Sequence, residues 1–132
     1  MKKEELLQGI QAGKYDEMLV KLYGQEALTA QKQRYSQAVE KFATLYPERE
    51  DMEVFSAPGR TEVCGNHTDH QHGKVLAAAI NLDAVAVVGF HEEGDIRLHS
   101  EGYPAITVEL ADLAINEVEH GTTKALIRGM AA

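Results

Sequence analysis

An α+β fold, with N-terminal helices followed by a mixed or antiparallel sheet, is what this sequence predicts, and two changes of rhythm predict it. Apolar residues recur at helical spacing through residues 1–50, and from residue 51 they alternate with polar ones or gather into short β-branched runs. The third observation is size: 132 residues support one hydrophobic core, so a single domain over 1–132 is expected, helical over 1–50 and sheet-forming over 51–132.

Leu6, Leu7 and Ile10 lie on one face of a first helix, and Tyr15, Met18, Leu19 and Leu22 mark a second. Gly13 and Gly24 are the expected stops, because glycine takes the left-handed conformation that ends a helix at little cost. A third helix is expected to start with Thr29 as its cap and to carry Tyr35, Ala38, Val39, Phe42 and Leu45 as one stripe, ending at Tyr46-Pro47. Tyr15, Tyr23 and Tyr35 read as packing residues.

Beyond Glu48-Arg49-Glu50-Asp51, Val54, Ser56, Thr61 and Val63 alternate as in a strand. Val75 to Ile80 is small and apolar, and Ala84 to Phe90 is β-branched. Ile96 to His99 follows the turn signal Glu92-Glu93-Gly94-Asp95, so these last two segments are expected to pair as a hairpin. Ala105 to Leu110 alternates again, and Thr122 or Thr123 can cap a final helix through Ala125, Leu126, Ile127 and Met130. That helix reaches Ala132 with no glycine, asparagine or proline stop and reads as interrupted, so exposed apolar surface and self-association are expected.

A net charge of −8 argues against a nucleic-acid partner or an anionic membrane surface, since counterion release needs clustered Lys and Arg. No apolar run approaches the roughly 20 residues of a membrane helix. The start, Met1-Lys2-Lys3-Glu4-Glu5, leads into an amphipathic stretch rather than the apolar core of a secretory signal. Cys64 is the single cysteine, which fits a reducing compartment and a cytoplasmic address. It is expected to be a small buried residue beside the loop described next.

Ser56 to Gly73 stands apart from its surroundings. Pro58 and Gly59 define a turn, Arg60 follows, and Gly65 permits backbone that other residues resist. Asp69 offers two acceptor oxygens, His67 a donor and an acceptor, and Asn66 both kinds, while the Thr68 hydroxyl can brace the turn. A polyol needs that mixture, because each hydroxyl donates once and accepts up to twice. Two other readings stand beside it: a solvated surface turn in which Arg60 pairs with Glu62, and a metal site built from Cys64, His67, Asp69, His70 and His72. No distant Cys or His pair completes a zinc pattern, and no metal ligand is assigned.

Ala57-Pro58-Gly59-Arg60, Gly65, His67-Thr68-Asp69 and then Gly73, Val75 and Leu76 are similar to the galactokinase signature of the GHMP small-molecule kinases, in which Pro-Gly-Arg precedes Gly-Glu-His-Thr-Asp-Tyr. The resemblance runs from the helices through residues 56–80 to the helix at Thr123, and it implies the N-terminal, sugar-binding part of such an enzyme with a GHMP-type N-terminal fold, truncated. It implies that His67 and Asp69 bind sugar hydroxyls and that Arg60 lies beside the reacting hydroxyl and the transferred phosphate, as a catalytic residue. The intact parent would transfer the γ-phosphate of ATP, with Mg2+, to the anomeric hydroxyl of galactose or a related sugar.

Three positions depart from the signature. Its Glu before His-Thr-Asp is Asn66, its Tyr after Asp is His70, and its Asn two places beyond the Arg is Glu62. An amide cannot replace a carboxylate that accepts from two hydroxyls, so Asn66 should redirect recognition. Glu62 can return that charge, since residues 60 and 62 share a face of an extended strand. Asn66 and Glu62 are therefore counted with His67 and Asp69 as substrate-binding candidates. The family's Gly-Leu-Ser-Ser-Ser-type phosphate loop and its later acid–base Asp do not occur in these residues. Gly121-Thr122-Thr123-Lys124 lacks the Walker-spaced glycine, position 116 being Asn116, and reads as a helix start. The chain alone is thus expected to bind ATP poorly and to be inactive as a kinase; a noncatalytic sugar-binding module of the same fold is the alternative.

Overall fold

A computed structural model describes residues 1–65 and 68–132, and at Asp69 the backbone only. The element order is α+β as expected: α1 (Lys3–Gln11), α2 (Asp16–Tyr23), α3 (Leu28–Leu45), β1 (Glu53–Cys64), β2 (Leu76–Val88), β3 (Asp95–Leu98), β4 (Ile106–Glu109) and α4 (Thr123–Ala131). Both strand pairs are antiparallel, β1 with β2 and β3 with β4. The chain divides into two units, Met1–Phe90 and His91–Ala132.

In the first unit the glycine stops lie where the sequence puts them. Gly13 follows α1 at φ 79° and Gly24 ends α2 at φ 85°. The cap of α3 differs from expectation: a 3-10 turn over Gln25–Ala27 runs straight into the helix, which starts at Leu28 with Ala27 at the cap position and no side-chain cap. The turn already supplies a bonded entry, so Thr29 has no terminus to close. Ile10, Leu19, Tyr23 and Tyr35 form one buried cluster, and Leu6, Val39 and Met52 a second, with Val54 of β1 and Val85 and Val87 of β2 packed against them. The three helices therefore lie on one face of the β1–β2 pair. Tyr23 and Tyr35 pack edge to face with ring centroids 6.3 Å apart, as packing residues should.

β2 is one strand where the sequence suggests two segments. Its pairing runs Glu53↔Val88 to Pro58↔Asp83, then jumps to Arg60↔Ala79 and continues to Cys64↔Leu76. Gly59 alone separates the paired residues on β1, whereas Ile80, Asn81 and Leu82 separate them on β2. The bulge absorbs what reads as a break in the pattern.

In the second unit β3 pairs with β4, from Asp95↔Glu109 to Leu98↔Ile106, and Val108 is fully buried. The expected hairpin of 84–90 with 96–99 is not formed: each segment pairs with a different strand. Gly94 at φ 76° does turn the chain, and its carbonyl accepts from Leu110 N at 2.9 Å, but the reversal serves β4 instead. Thr122 caps α4 as expected, its Oγ1 accepting from Ala125 N at 3.2 Å. No helix among the described residues is long and apolar enough to cross a membrane.

Candidate functional site

Arg60 and Glu62 sit on β1 opposite Ala79 and Ala77, with Thr61 opposite Ala78. Three small partners leave room beside long polar side chains. The segment is bracketed by two register irregularities, at Pro58/Arg60 and at Glu62/Cys64, and such bulges re-aim side chains next to sites. Arg60 is exposed and Glu62 is half-buried.

After β1 the chain folds into a tight loop. Gly65 takes φ 125°, and a Cβ there would lie 2.7 Å from Val75 Cα and 2.8 Å from Lys74 O, so both conformation and space demand glycine. Thr68 Oγ1 donates to Gly65 O at 2.8 Å and braces the turn as its hydroxyl was expected to do. Thr68 O accepts from Gln71 N at 3.0 Å and Gly73 N at 2.8 Å, closing a 3-10 turn over Asp69–Gln71. Gly73 presses so closely on Thr68 that a Cβ would lie 2.2 Å from Thr68 Oγ1. His72 holds φ 61°, a conformation uncommon outside glycine. Thr68, Gly65 and Gly73 together hold the backbone of the segment that carries Asp69. Asn66, His67 and the side chain of Asp69 lie outside the described residues. Cys64, the last residue of β1, is exposed, not buried.

A carboxylate that the sequence analysis does not single out lies behind this site. Asp83, on β2, has a side chain only 3% exposed. Its Oδ2 accepts from Tyr23 OH at 2.6 Å and Ser56 Oγ at 2.5 Å, its Oδ1 from Arg34 NH1 at 2.6 Å, and its backbone oxygen from Arg34 NH2 at 2.8 Å. Tyr23 OH lies 2.8 Å from Tyr35 OH; since it donates to Asp83, it accepts from Tyr35. Burial by itself would push the Asp83 carboxyl up, but hydrogen bonds from Ser56, Tyr23 and Arg34, with the Arg34 charge, hold it below the ordinary carboxylate value. Burial first, then the bond to Asp83, pushes the Tyr23 hydroxyl well above its usual range. The signal in the sequence is the one charged residue inside a largely apolar strand.

Elsewhere, His91, Glu93 and Asp95 bring donor atoms within 4.8 Å of one another. Arg97 already pairs with both carboxylates, through Nε to Asp95 at 2.8 Å and through NH2 to Glu93, so a cation entering there would meet a guanidinium in place. In the Gly121–Lys124 stretch, Thr122 Oγ1 accepts from Ala125 N as the helix cap, and Lys124 Nζ is paired with Glu119 at 3.3 Å.

The comparisons with known proteins fall on the same region. The galactokinase galactose-binding signature matches residues 40–90. A galactokinase of Lactococcus lactis is 34% identical over 84 residues, which is 64% of this chain and 21% of the relative. One from Streptomyces coelicolor is 44% identical over 77 residues, 57% of this chain and 20% of the relative. One from Candida parapsilosis is 35% identical over 98 residues, 71% of this chain and 19% of the relative. The chain thus spans about a fifth of the length of these curated relatives. No solved structure matches it. Signature and relatives agree with the motif read from Arg60 to Gly73, and the chain carries the galactose-binding signature of the galactokinases as a galactokinase-like N-terminal sequence.

Proposed function

We propose that this chain is the sugar-binding portion of a GHMP-type galactokinase, and that its part in catalysis is to hold and orient galactose or a close relative for phosphorylation at the anomeric hydroxyl. The observation that carries the reading is the galactose-binding signature over residues 40–90, whose Pro-Gly-Arg enters a bulged strand and whose last glycine closes the loop against Thr68. In this reading His67 and Asp69 bind sugar hydroxyls, and Arg60 stabilises charge on the transferred phosphoryl oxygens. Asn66 contributes an amide donor and acceptor, and Glu62, two residues from Arg60 on the same strand, supplies the carboxylate that the signature has at position 66. ATP and Mg2+ serve the whole enzyme, which acts in the cytoplasm. No step of the transfer is assigned to Gly121–Lys124, where Thr122 caps α4 and Lys124 pairs with Glu119.

Calorimetric titration with D-galactose, with D-glucose as the epimer control, tests the reading. Galactose should bind and glucose more weakly, because an epimer leaves a carboxylate oxygen unpaired. Asp69→Asn and Glu62→Gln should each weaken galactose binding by about tenfold or more, the usual size of a hydrogen bond to a charged group. Equal binding of both hexoses, or none, would overturn it. A sugar-bound structure with Glu62 turned away from the ligand would remove Glu62 alone from the site.

A further inference from the structure

Every strand pairing is specified by something, and across β1–β2 the alternation of apolar residues is a weak guide. Ala57, Ala84 and Ala86, on the side away from the helices, are interchangeable in size, so sliding one strand past the other costs little packing there. The side toward the helices is different. There Asp83 gathers donors from three other elements: Tyr23 at the end of α2, Arg34 in α3, Ser56 in β1, and, through Tyr23, the hydroxyl of Tyr35, also in α3. These partners lie 60, 49 and 27 residues away for Tyr23, Arg34 and Ser56, so the network is tertiary throughout.

Its place on the strand matters. Asp83 pairs with Pro58, the last regular pair before the bulge, and the next pair is Arg60 with Ala79. Gly59 sits under that bulge, where an added Cβ would meet Leu82 O at 3.1 Å and Ile80 Cδ1 at 3.2 Å. A slip of one residue would turn the Asp83 carboxylate to the other face of the sheet, leaving Arg34 and Tyr23 without their acceptor.

We propose that Asp83, held by Arg34, Tyr23 and Ser56, is a positioning residue that pins the β1–β2 register immediately before Arg60, and so sets where Arg60, Glu62 and the Gly65–Gly73 loop stand relative to a bound sugar. The functional half of this rests on the sugar-site reading above; the register half does not. Buried ion pairs add little net stability compared with apolar residues of similar size, and their best attested use is to specify one arrangement over its neighbours. The network satisfies both carboxylate oxygens, which is the condition for that use.

The test compares the parent with Asp83→Asn and with the apolar double variant Arg34→Met/Asp83→Leu, reading amide hydrogen exchange at Arg60–Val63, the Arg60–Ala79 proton contact by NMR, and galactose titration. The double variant should melt at or above the parent temperature, yet exchange those amides at least tenfold faster, lose the single Arg60–Ala79 contact, and bind galactose at least tenfold more weakly. Asp83→Asn keeps acceptors for Ser56 and Tyr23 but loses the Arg34 charge pairing, and should move the same readouts less. A double variant that keeps the parent's exchange and cross-strand contact overturns the proposal. If that variant does not fold, Asp83→Asn decides: unchanged exchange and contact overturn it too. A parent that binds no hexose defeats the sugar-site reading, while exchange and contact still decide the register.

Discussion

Two carboxylates, Asp83 in the first unit and Glu119 in the second, are each bound by an arginine and yet do different work. Asp83 draws its donors from 27 to 60 residues away and joins helices to strands. Glu119 is held by Arg128 at 2.9 Å and 3.1 Å and by Lys124 at 3.3 Å, partners no more than nine residues off. The Glu119 carboxyl is held low chiefly by the Arg128 hydrogen bond, against desolvation and with help from Lys124. A carboxylate with distant partners constrains which elements meet, because ordering it closes long loops; one with near partners stiffens a turn already closed by sequence. The difference teaches that the same ion pair is tertiary information in one place and local punctuation in the other.

Removing each acid separates them most sharply. Asp83→Ala should cost about 2–4 kcal/mol by urea unfolding, toward the low end for a broken buried pair because Arg34 keeps 39% of its side chain in solvent. Glu119→Ala should speed amide exchange in α4 and leave the urea midpoint of the first unit unchanged. If both variants unfold the first unit alike, the distinction between the clusters fails.

Acid gives a smaller and graded effect. The folded-state pKa of Asp83 is depressed, so its contribution is fully present above the unfolded carboxylate value of about 3.9 and is lost as pH falls through the lower folded value. Near-ultraviolet circular dichroism of the tyrosines should therefore stay level from this cause between pH 7 and 5 and fall below about pH 4. In Asp83→Asn that acid limb should shrink. An unchanged limb in the variant would assign the acid sensitivity to other groups.

Salt should have the least effect, and only on one side of the comparison. Raising NaCl to 1 M shortens the screening length to about 3 Å, which weakens exposed pairs most. Arg97, whose side chain is 41% exposed, and Lys124, at 42%, should loosen, seen as faster exchange around Asp95 and Thr122. The amides flanking Asp83 should hold their rates. Equal acceleration at both places would show that burial does not shelter the Asp83 network.

Legibility in the sequence followed the range of the interaction. Gly13, Gly24 and Thr122 were readable because a stop or a cap is satisfied within a few residues. The Gly65–Gly73 loop was readable as a functional segment for a related reason: its glycines are needed by close approaches within the same short stretch of chain, Gly65 to Val75 and Gly73 to Thr68. Thr29 misleads because a 3-10 turn had already bonded the entry to α3. The Glu92–Asp95 signal does mark a reversal, but a turn motif cannot say which strand it serves, and β4 takes the pairing expected for residues 84–90. Cys64 departs from the habit of cysteine to be buried, standing exposed as the last residue of β1.

The residue sequence by itself determined the α+β succession, the helix stops and cap, and the signature from Arg60 to Gly73, since each depends on periodicity or on chemistry among near neighbours. Tertiary structure alone decided that β2 is one bulged strand paired with β1, that β3 turns to β4, and that Asp83 becomes the meeting point of Tyr23, Arg34 and Ser56. The reason is physical: strand edges and buried acids are satisfied by whichever partners the packing of distant segments brings near, and sequence spacing carries no record of that distance.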